Sequence, residues 1–155
     1  MEINLTVSKS SVMHEVQKAT SYTGAKAQDE AGAAYDLLRA TDADRELLET
    51  YWSEAASYAV KVLRRFVVSS SATAFPHHPD LSADFTVKLR VSAGWDTALK
   101  EPTATLLSSY FVAFITGKWF GVSSPDRAQP YATEAAAVLE SVKNNLYHRR
   151  KPSRI

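Results

Sequence analysis

The side chains best suited to metal chemistry lie in one short stretch, His77-His78-Pro79-Asp80. Imidazole nitrogens and carboxylate oxygens are common metal ligands, so this stretch is the best candidate metal site in the chain. Adjacent side chains on an extended chain point in opposite directions, however, and His77 and His78 would rarely reach one ion together. No second group of His, Asp or Glu in the sequence has ligand spacing. We therefore predict that the protein binds no metal ion.

Other residue types that serve in active sites have simpler explanations in this sequence. Asp42, Asp44 and Glu46 would suit acid–base chemistry, but they fall at a predicted helix start, where acids complement the helix dipole. His14 and His148 stand alone in helical segments, and no serine lies in a nucleophile-elbow pattern. The chain has no cysteine, which excludes disulfides, thiolate zinc sites, iron–sulfur clusters and cysteine nucleophiles. The sequence favours a protein without catalytic activity and without a cofactor.

Charge is balanced over the whole chain but not at its C-terminus. Eighteen Lys and Arg residues stand against 17 Asp and Glu residues, a net charge of +1. Residues 149–155 contain no acid and four of the cations, which are Arg149, Arg150, Lys151 and Arg154. The other 14 cations and the 17 acids give residues 1–148 a net charge of −3. The sequence predicts a single helical domain over residues 1–148 and a basic tail over 149–155. This tail either only solubilises the terminus or docks against phosphate or an acidic protein surface.

Two short strands are predicted from apolar residues that alternate with polar ones. The first strand has its apolar side chains at Ile3, Leu5 and Val7. The second strand, over residues 85–91, shows the pattern more strongly. Its apolar positions are Phe85, Val87, Leu89 and Val91. Two strands alone make a marginal sheet, so they either pair with each other or add to strands of another molecule. We predict that the second strand belongs to an extended hairpin or to a sheet completed by a neighbouring subunit.

Helical periodicity accounts for most of the remaining chain. Helices are predicted over residues 11–23, 42–68, 103–120 and 131–147, the last preceded by a short turn that starts at Ser124. In the second helix, the residues spaced by three and four form one apolar seam: Leu48, Trp52, Ala55, Ala59, Val62 and Phe66. We predict that this seam packs against Phe111, Phe114, Ile115, Leu139 and Val142. The predicted fold is mainly α with a minor β element: a compact bundle of about four helices plus two short strands.

Length and composition agree with one globular domain. The chain has 155 residues, of which 45% are hydrophobic and 23% charged. Residues 103–122 carry a single charge, Lys118, but only 12 of these 20 residues are apolar, too few for a membrane-spanning helix. The N-terminus has an early acid, Glu2, and lacks the apolar run of a signal peptide. We therefore expect no membrane contact.

The order of these parts resembles the small helical head–tail connector proteins, also called neck or adaptor proteins, of tailed bacteriophages. The resemblance rests on the acid-started helix at 41–48, the strand Phe85–Val91, the buried helix ending in Gly117-Lys118-Trp119-Phe120, and the closing helix Tyr131–Tyr147 followed by His148-Arg149-Arg150-Lys151-Pro152. The chain is also similar to prophage structural proteins of gut Bacteroidetes. Those proteins often begin with an Ile-Asn-Leu-Thr-Val strand and end in an Arg/Lys-Lys-Pro tail.

This resemblance implies a structural virion protein that is made in the cytoplasm of the bacterial host. Connectors generally form rings, often of twelve subunits, between the portal and the tail. DNA passes through the lumen of the ring, and connectors carry no catalytic site. The implied partners are further copies of the chain, the portal and other neck or tail proteins, with non-specific DNA contact in the lumen. The basic tail, Arg149, Arg150, Lys151 and Arg154, would grip one of these partners, and the strand Phe85–Val91 would lie between subunits or face the lumen.

A protein of another class fits the same sequence. This alternative is a small cytoplasmic helical protein that binds DNA or a regulatory partner through its basic C-terminus. It would be supported by a recognition helix with several outward Arg or Lys side chains on one face. No such helix is visible in the sequence.

Overall fold

The structure, a computed structural model, describes residues 1–31, 44–71 and 84–153, and of residues 22–31 only the backbone. Over these ranges the order of elements is β1 (Glu2–Val7), α1 (Lys9–Ala31), α2 (Arg45–Val62), β2 (Val67–Ser70), β3 (Phe85–Arg90), a 3₁₀ turn (Thr97–Leu99), α3 (Lys100–Ser123) and α4 (Pro125–Tyr147). The predicted fold class, mainly α with a minor β element, is confirmed. None of the helices in the described ranges is long and apolar enough to cross a membrane.

The sheet has three strands in the order β1-β3-β2, and each pair of neighbours is antiparallel. β3 therefore lies in the middle, with both of its edges occupied by strands of the same chain. Its apolar side chains, Phe85, Val87 and Leu89, point into the core, as the alternation predicts. Val91, just beyond the strand, donates its backbone N–H to the carbonyl of Met1 at 2.9 Å.

This topology corrects two predictions. The chain has a third strand, β2, and the stretch Phe85–Val91 needs no neighbouring subunit to complete its sheet. The assignment of Phe85, Val87, Leu89 and Val91 to an inter-subunit strand is therefore wrong. The sequence does not predict β2, because its residues, Val-Val-Ser-Ser, do not alternate between apolar and polar. Its pairing with β3 is also irregular between Val67 and Ser69.

α3 is the central element of the core. Its side chains Leu107, Tyr110, Phe111 and Ile115 are fully buried, and α1, α2, α4 and β1 all pack against it. The predicted seam of α2 faces this helix, with the rings of Trp52 and Phe111 4.6 Å apart. The seam residues Leu48, Trp52, Ala55, Ala59 and Phe66 are buried, and Val62 is half-buried at the edge of the core.

Three helix boundaries differ from the predicted ones by six residues or more. α1 continues to Ala31, and α2 ends at Val62 because a turn over residues 63–66 leads into β2. α4 begins at Pro125, after Ser124, and passes through Pro130 without a break. A proline in a helix removes one backbone hydrogen bond. In α4 the lost hydrogen bond is the one from residue 130 to the carbonyl of Asp126, the second residue of the helix. Asp126 is exposed, so water can hydrogen-bond to that carbonyl.

Candidate functional site

The basic residues at the C-terminus follow α4 after a single intervening residue, His148. The backbone of Arg149 and Arg150 pairs with the rest of the chain. The N–H of Arg150 donates to the carbonyl of Gly94 at 2.8 Å, and Arg149 forms an isolated antiparallel bridge with Trp95. Trp95 is only 3% exposed, and its indole Nε1 donates to the carbonyl of Asn145 at 2.9 Å. Because two consecutive residues pair with Gly94 and the buried Trp95, the segment leaves α4 in a fixed direction.

The turn that receives this segment is itself well supported. The N–H of Trp95 donates to the carbonyl of Ser92 at 3.0 Å. The side chain of Asp96 then accepts from the N–H of Ala98 at 3.1 Å and caps the 3₁₀ turn. On the other side, the amide Nδ2 of Asn145 donates to the hydroxyl of Thr103 at 3.3 Å and links α4 to α3. The segment is therefore anchored to two elements that are held together.

The cationic side chains of the segment face solvent. Arg149, Arg150 and Lys151 are exposed, and no carboxylate in the described part of the chain lies within 4.0 Å of their charged groups. Arg154, the fourth cation of the predicted tail, lies outside the described residues. The backbone of Arg149 and Arg150 is thus fixed, and the exposed charges of Arg149, Arg150 and Lys151 are available to a partner.

Arg65 adds a fourth described cation to this surface. Its guanidinium lies 5.6 Å from the centre of the Tyr147 ring, and its Nη1 donates to the Tyr147 hydroxyl at 3.3 Å. The same ring packs edge-on against Phe66 at 4.8 Å. Since Tyr147 is the last residue of α4, Arg65 lies beside the start of the basic segment. We call Arg65, Arg149, Arg150 and Lys151 together the basic end. No local pattern indicates the place of Arg65, which is 82 residues from Tyr147 in the chain.

The residues considered for catalysis and metal binding do not come together in the described ranges. No group of three or more His, Cys, Asp or Glu side chains within those ranges is placed to hold a metal ion. His77, His78 and Asp80 lie outside the described residues, as does Asp42. His14 and His148 are exposed on different elements.

One carboxylate with two cationic partners is a residue that the sequence did not single out. Glu49 of α2 accepts from Lys9 Nζ at 3.4 Å and from Arg45 Nε at 3.2 Å. Partial burial by itself would raise the pKa of Glu49, but the hydrogen bonds and charges of Arg45 and Lys9 outweigh it and lower that pKa below its ordinary value. These contacts join the start of α1 to α2, which is a structural role.

Comparison with protein-family models, with curated proteins and with solved structures finds no significant match to the chain. The geometry of the basic end is therefore the main ground for inferring a function.

Proposed function

We propose that the chain is a structural subunit that assembles with copies of itself into a ring, like the head–tail connectors between the portal and the tail of tailed bacteriophages. The observation that carries this proposal is the basic end. Its cations are exposed and without a described carboxylate partner, while the backbone of Arg149 and Arg150 is already fixed. A segment ordered before binding loses less conformational entropy when it docks, so this arrangement suits a permanent contact between subunits.

The distribution of charge supports assembly from identical copies. Residues 1–148 sum to −3 and the segment 149–155 carries four cations. Surfaces of opposite sign on one molecule attract the matching surfaces of other copies and select their orientation. In this proposal the further partners are the portal and other neck or tail proteins, the location is the virion, and no reaction is catalysed. DNA in the lumen meets the subunits only through non-specific phosphate contacts.

The helix that precedes the basic segment gives little support to sequence-specific DNA binding. The charged side chains along α4 are of both signs: Asp126, Arg127, Glu134, Glu140 and Lys143. A recognition helix presents several Arg or Lys side chains to the groove and few acids. The alternative function, a small cytoplasmic protein that binds DNA or a regulatory partner, therefore rests on the basic segment alone.

The proposal is tested by measuring the mass of the intact protein by native mass spectrometry and imaging it by electron microscopy, without DNA, alone and mixed with a portal. We expect closed rings. The variant Arg149→Gln, Arg150→Gln, Lys151→Gln keeps the backbone hydrogen bonds of the segment, so it should fold normally and fail to assemble. A matched control, Lys61→Gln, Lys118→Gln, Lys143→Gln, removes three cations from α2, α3 and α4 and should assemble normally.

Two results would contradict the proposal. One is an intact protein that stays monomeric at all concentrations, with or without the portal. The other is a triple variant that assembles as well as the control, in which case the tail only solubilises the terminus. A monomer that binds one DNA sequence tightly would instead support the alternative function.

A further inference from the structure

A groove of about 410 Å³ lies between α1 and α4 on the outer side of α3. Its floor includes Ser108, Ser109 and Val112 of α3, and its walls carry Glu15 of α1 and Glu134 of α4. The described residues that line it include two carboxylates and no Lys or Arg. A volume of this size is in the range of pockets that enclose a small ligand or a few side chains.

The lining of the groove has the chemistry that binds a guanidinium group. Carboxylates on opposite walls can each accept paired hydrogen bonds from an arginine. The serine hydroxyls on the floor offer further acceptors for its five N–H donors. Tyr131 also lines the groove, and tyrosine rings stack with guanidinium groups. A lysine ammonium would use the charge but neither the paired geometry nor the stacking.

The two carboxylates are available to such a ligand. No cation in the described part of the chain lies within 4.0 Å of Glu134. Among the described residues, Glu15 forms an ion pair with Lys18 alone, at 3.9 Å on the same helix, and both side chains are more than half exposed. Exposed pairs of this kind are weak, so an arginine that enters the groove can replace Lys18 at little cost.

We propose that this groove receives a guanidinium group of the basic end, from Arg149 or from the adjacent Arg150, of a second copy of the chain. The same chain cannot supply it. Glu134 lies thirteen residues before Tyr147 on one helix, which is about 20 Å of helix length. Arg149 and Arg150 are tied to Gly94 and Trp95 beyond the far end of that helix.

This inference rests on the proposed function and identifies the contact between neighbouring copies on which that function depends. The groove and the basic end are different surfaces of one molecule. Contacts between two different surfaces continue from copy to copy until they close into a ring, or otherwise form a filament.

The first test is a charge exchange in the intact chain, read by native mass spectrometry or sedimentation. Glu15→Lys with Glu134→Lys should weaken self-association by at least about tenfold, and Arg149→Glu with Arg150→Glu should do the same. When these two double variants are mixed, each basic tail meets an acidic groove and each acidic tail meets a basic groove, so assembly should return. Glu46→Lys with Glu140→Lys, on exposed acids outside the groove, should leave assembly unchanged. If mixing restores nothing, the groove is not the acceptor.

The second test locates the contact directly. Because the natural chain has no cysteine, a disulfide between two single-cysteine variants can only join two copies. Ser109→Cys mixed with Lys151→Cys should cross-link readily under mild oxidation. Glu140→Cys mixed with Lys151→Cys is the control and should cross-link at the rate of random collision.

The outcomes separate this inference from the proposed function. Rings without the Ser109–Lys151 cross-link would show that the chain assembles through another surface, and the groove proposal would be wrong. The cross-link without rings would confirm the groove contact and overturn the ring. If neither rings nor the cross-link form, both proposals are wrong.

Discussion

At the scale of single residues, Tyr110 shows how the core accepts a polar group. The residue is fully buried on α3, and its hydroxyl donates to the carbonyl of Ala55 on α2 at 2.8 Å. Burial, and to a smaller extent the charge of Tyr58, raises the pKa of Tyr110 well above its ordinary value, so the hydroxyl stays protonated and remains a donor. The bond fixes the position of α2 along α3 more sharply than apolar contact alone.

Trp52 is the residue whose loss should weaken the core most directly. It is 4% exposed and packs on Phe111, with ring centres 4.6 Å apart. Trp52→Ala should lower the free energy of unfolding by about 3–5 kcal/mol, because it leaves a cavity between α2 and α3. Leu47→Ala, at an exposed site on the same helix, should cost less than about 0.5 kcal/mol. Urea unfolding of both variants measures the difference, and equal losses would contradict the described packing of α2.

At the scale of the elements, two glycines of α3 give a matched test of how closely α4 packs against it. A Cβ at Gly117 would lie 3.2 Å from the Cβ of Tyr131 and 3.4 Å from the backbone nitrogen of Ala132. A Cβ at Gly121 would meet no atom of the described residues within 4 Å. Replacing a helical glycine with alanine gains about 1 kcal/mol where there is room.

Gly121→Ala should therefore stabilise the protein by about 0.5–1 kcal/mol. Gly117→Ala should be less stable than Gly121→Ala by more than about 1 kcal/mol, because the new methyl group meets α4 near its rigid backbone. The thermal midpoints of the two variants measure the difference. If both alanines stabilise equally, α3 and α4 are not in close contact at Gly117.

The junction of α1 and α2 should respond to acid through Glu49. Its pKa is lower in the folded chain than the ordinary value of 4.5, so its stabilising effect is fully present above pH 4.5. The effect is lost as the pH falls through the lower, folded value. Glu49→Gln should cost about 0.5–1 kcal/mol at pH 7, and this cost should shrink as the pH falls from 7 to below 4.5.

Urea unfolding across this pH range measures that difference. Glu46→Gln on the same helix is the control, because Glu46 is exposed and makes no ion pair within the described residues. If the difference in the free energy of unfolding between Glu49→Gln and the natural chain stays constant with pH, the ion-pair explanation is wrong.

At the scale of the whole molecule, assembly should depend on salt. If the basic end holds copies together, the contacts are between charges at a partly exposed interface. The screening length falls from about 10 Å at 0.1 M salt to about 3 Å at 1 M. The assembled fraction of DNA-free protein should fall over this range while the helix content measured by circular dichroism stays constant. Assembly that strengthens with salt would indicate an apolar interface instead.

The sequence by itself determined the elements whose burial follows a local period. The seam of α2 and the alternation of β1 and β3 each repeat at the spacing of one secondary structure, and α3 is apolar on all sides, so all four elements are predicted from the sequence. The bounds of β1, β3 and α3 are nearly correct, whereas α2 ends six residues earlier than predicted. The charge of Arg149, Arg150 and Lys151 was visible in the same way. A local pattern records which face of an element is buried, but not which element covers it.

Only the tertiary structure decided how these pieces meet. It showed that β2, a strand without alternation, forms by pairing with one edge of β3. This pairing leaves Phe85–Arg90 at the centre of the sheet. It placed Arg65 beside Tyr147 and tied Arg150 to Gly94. It also brought Glu15 and Glu134 to one groove. These contacts join residues far apart in the chain, and their energies depend on the packing of whole helices, which no short stretch of sequence contains.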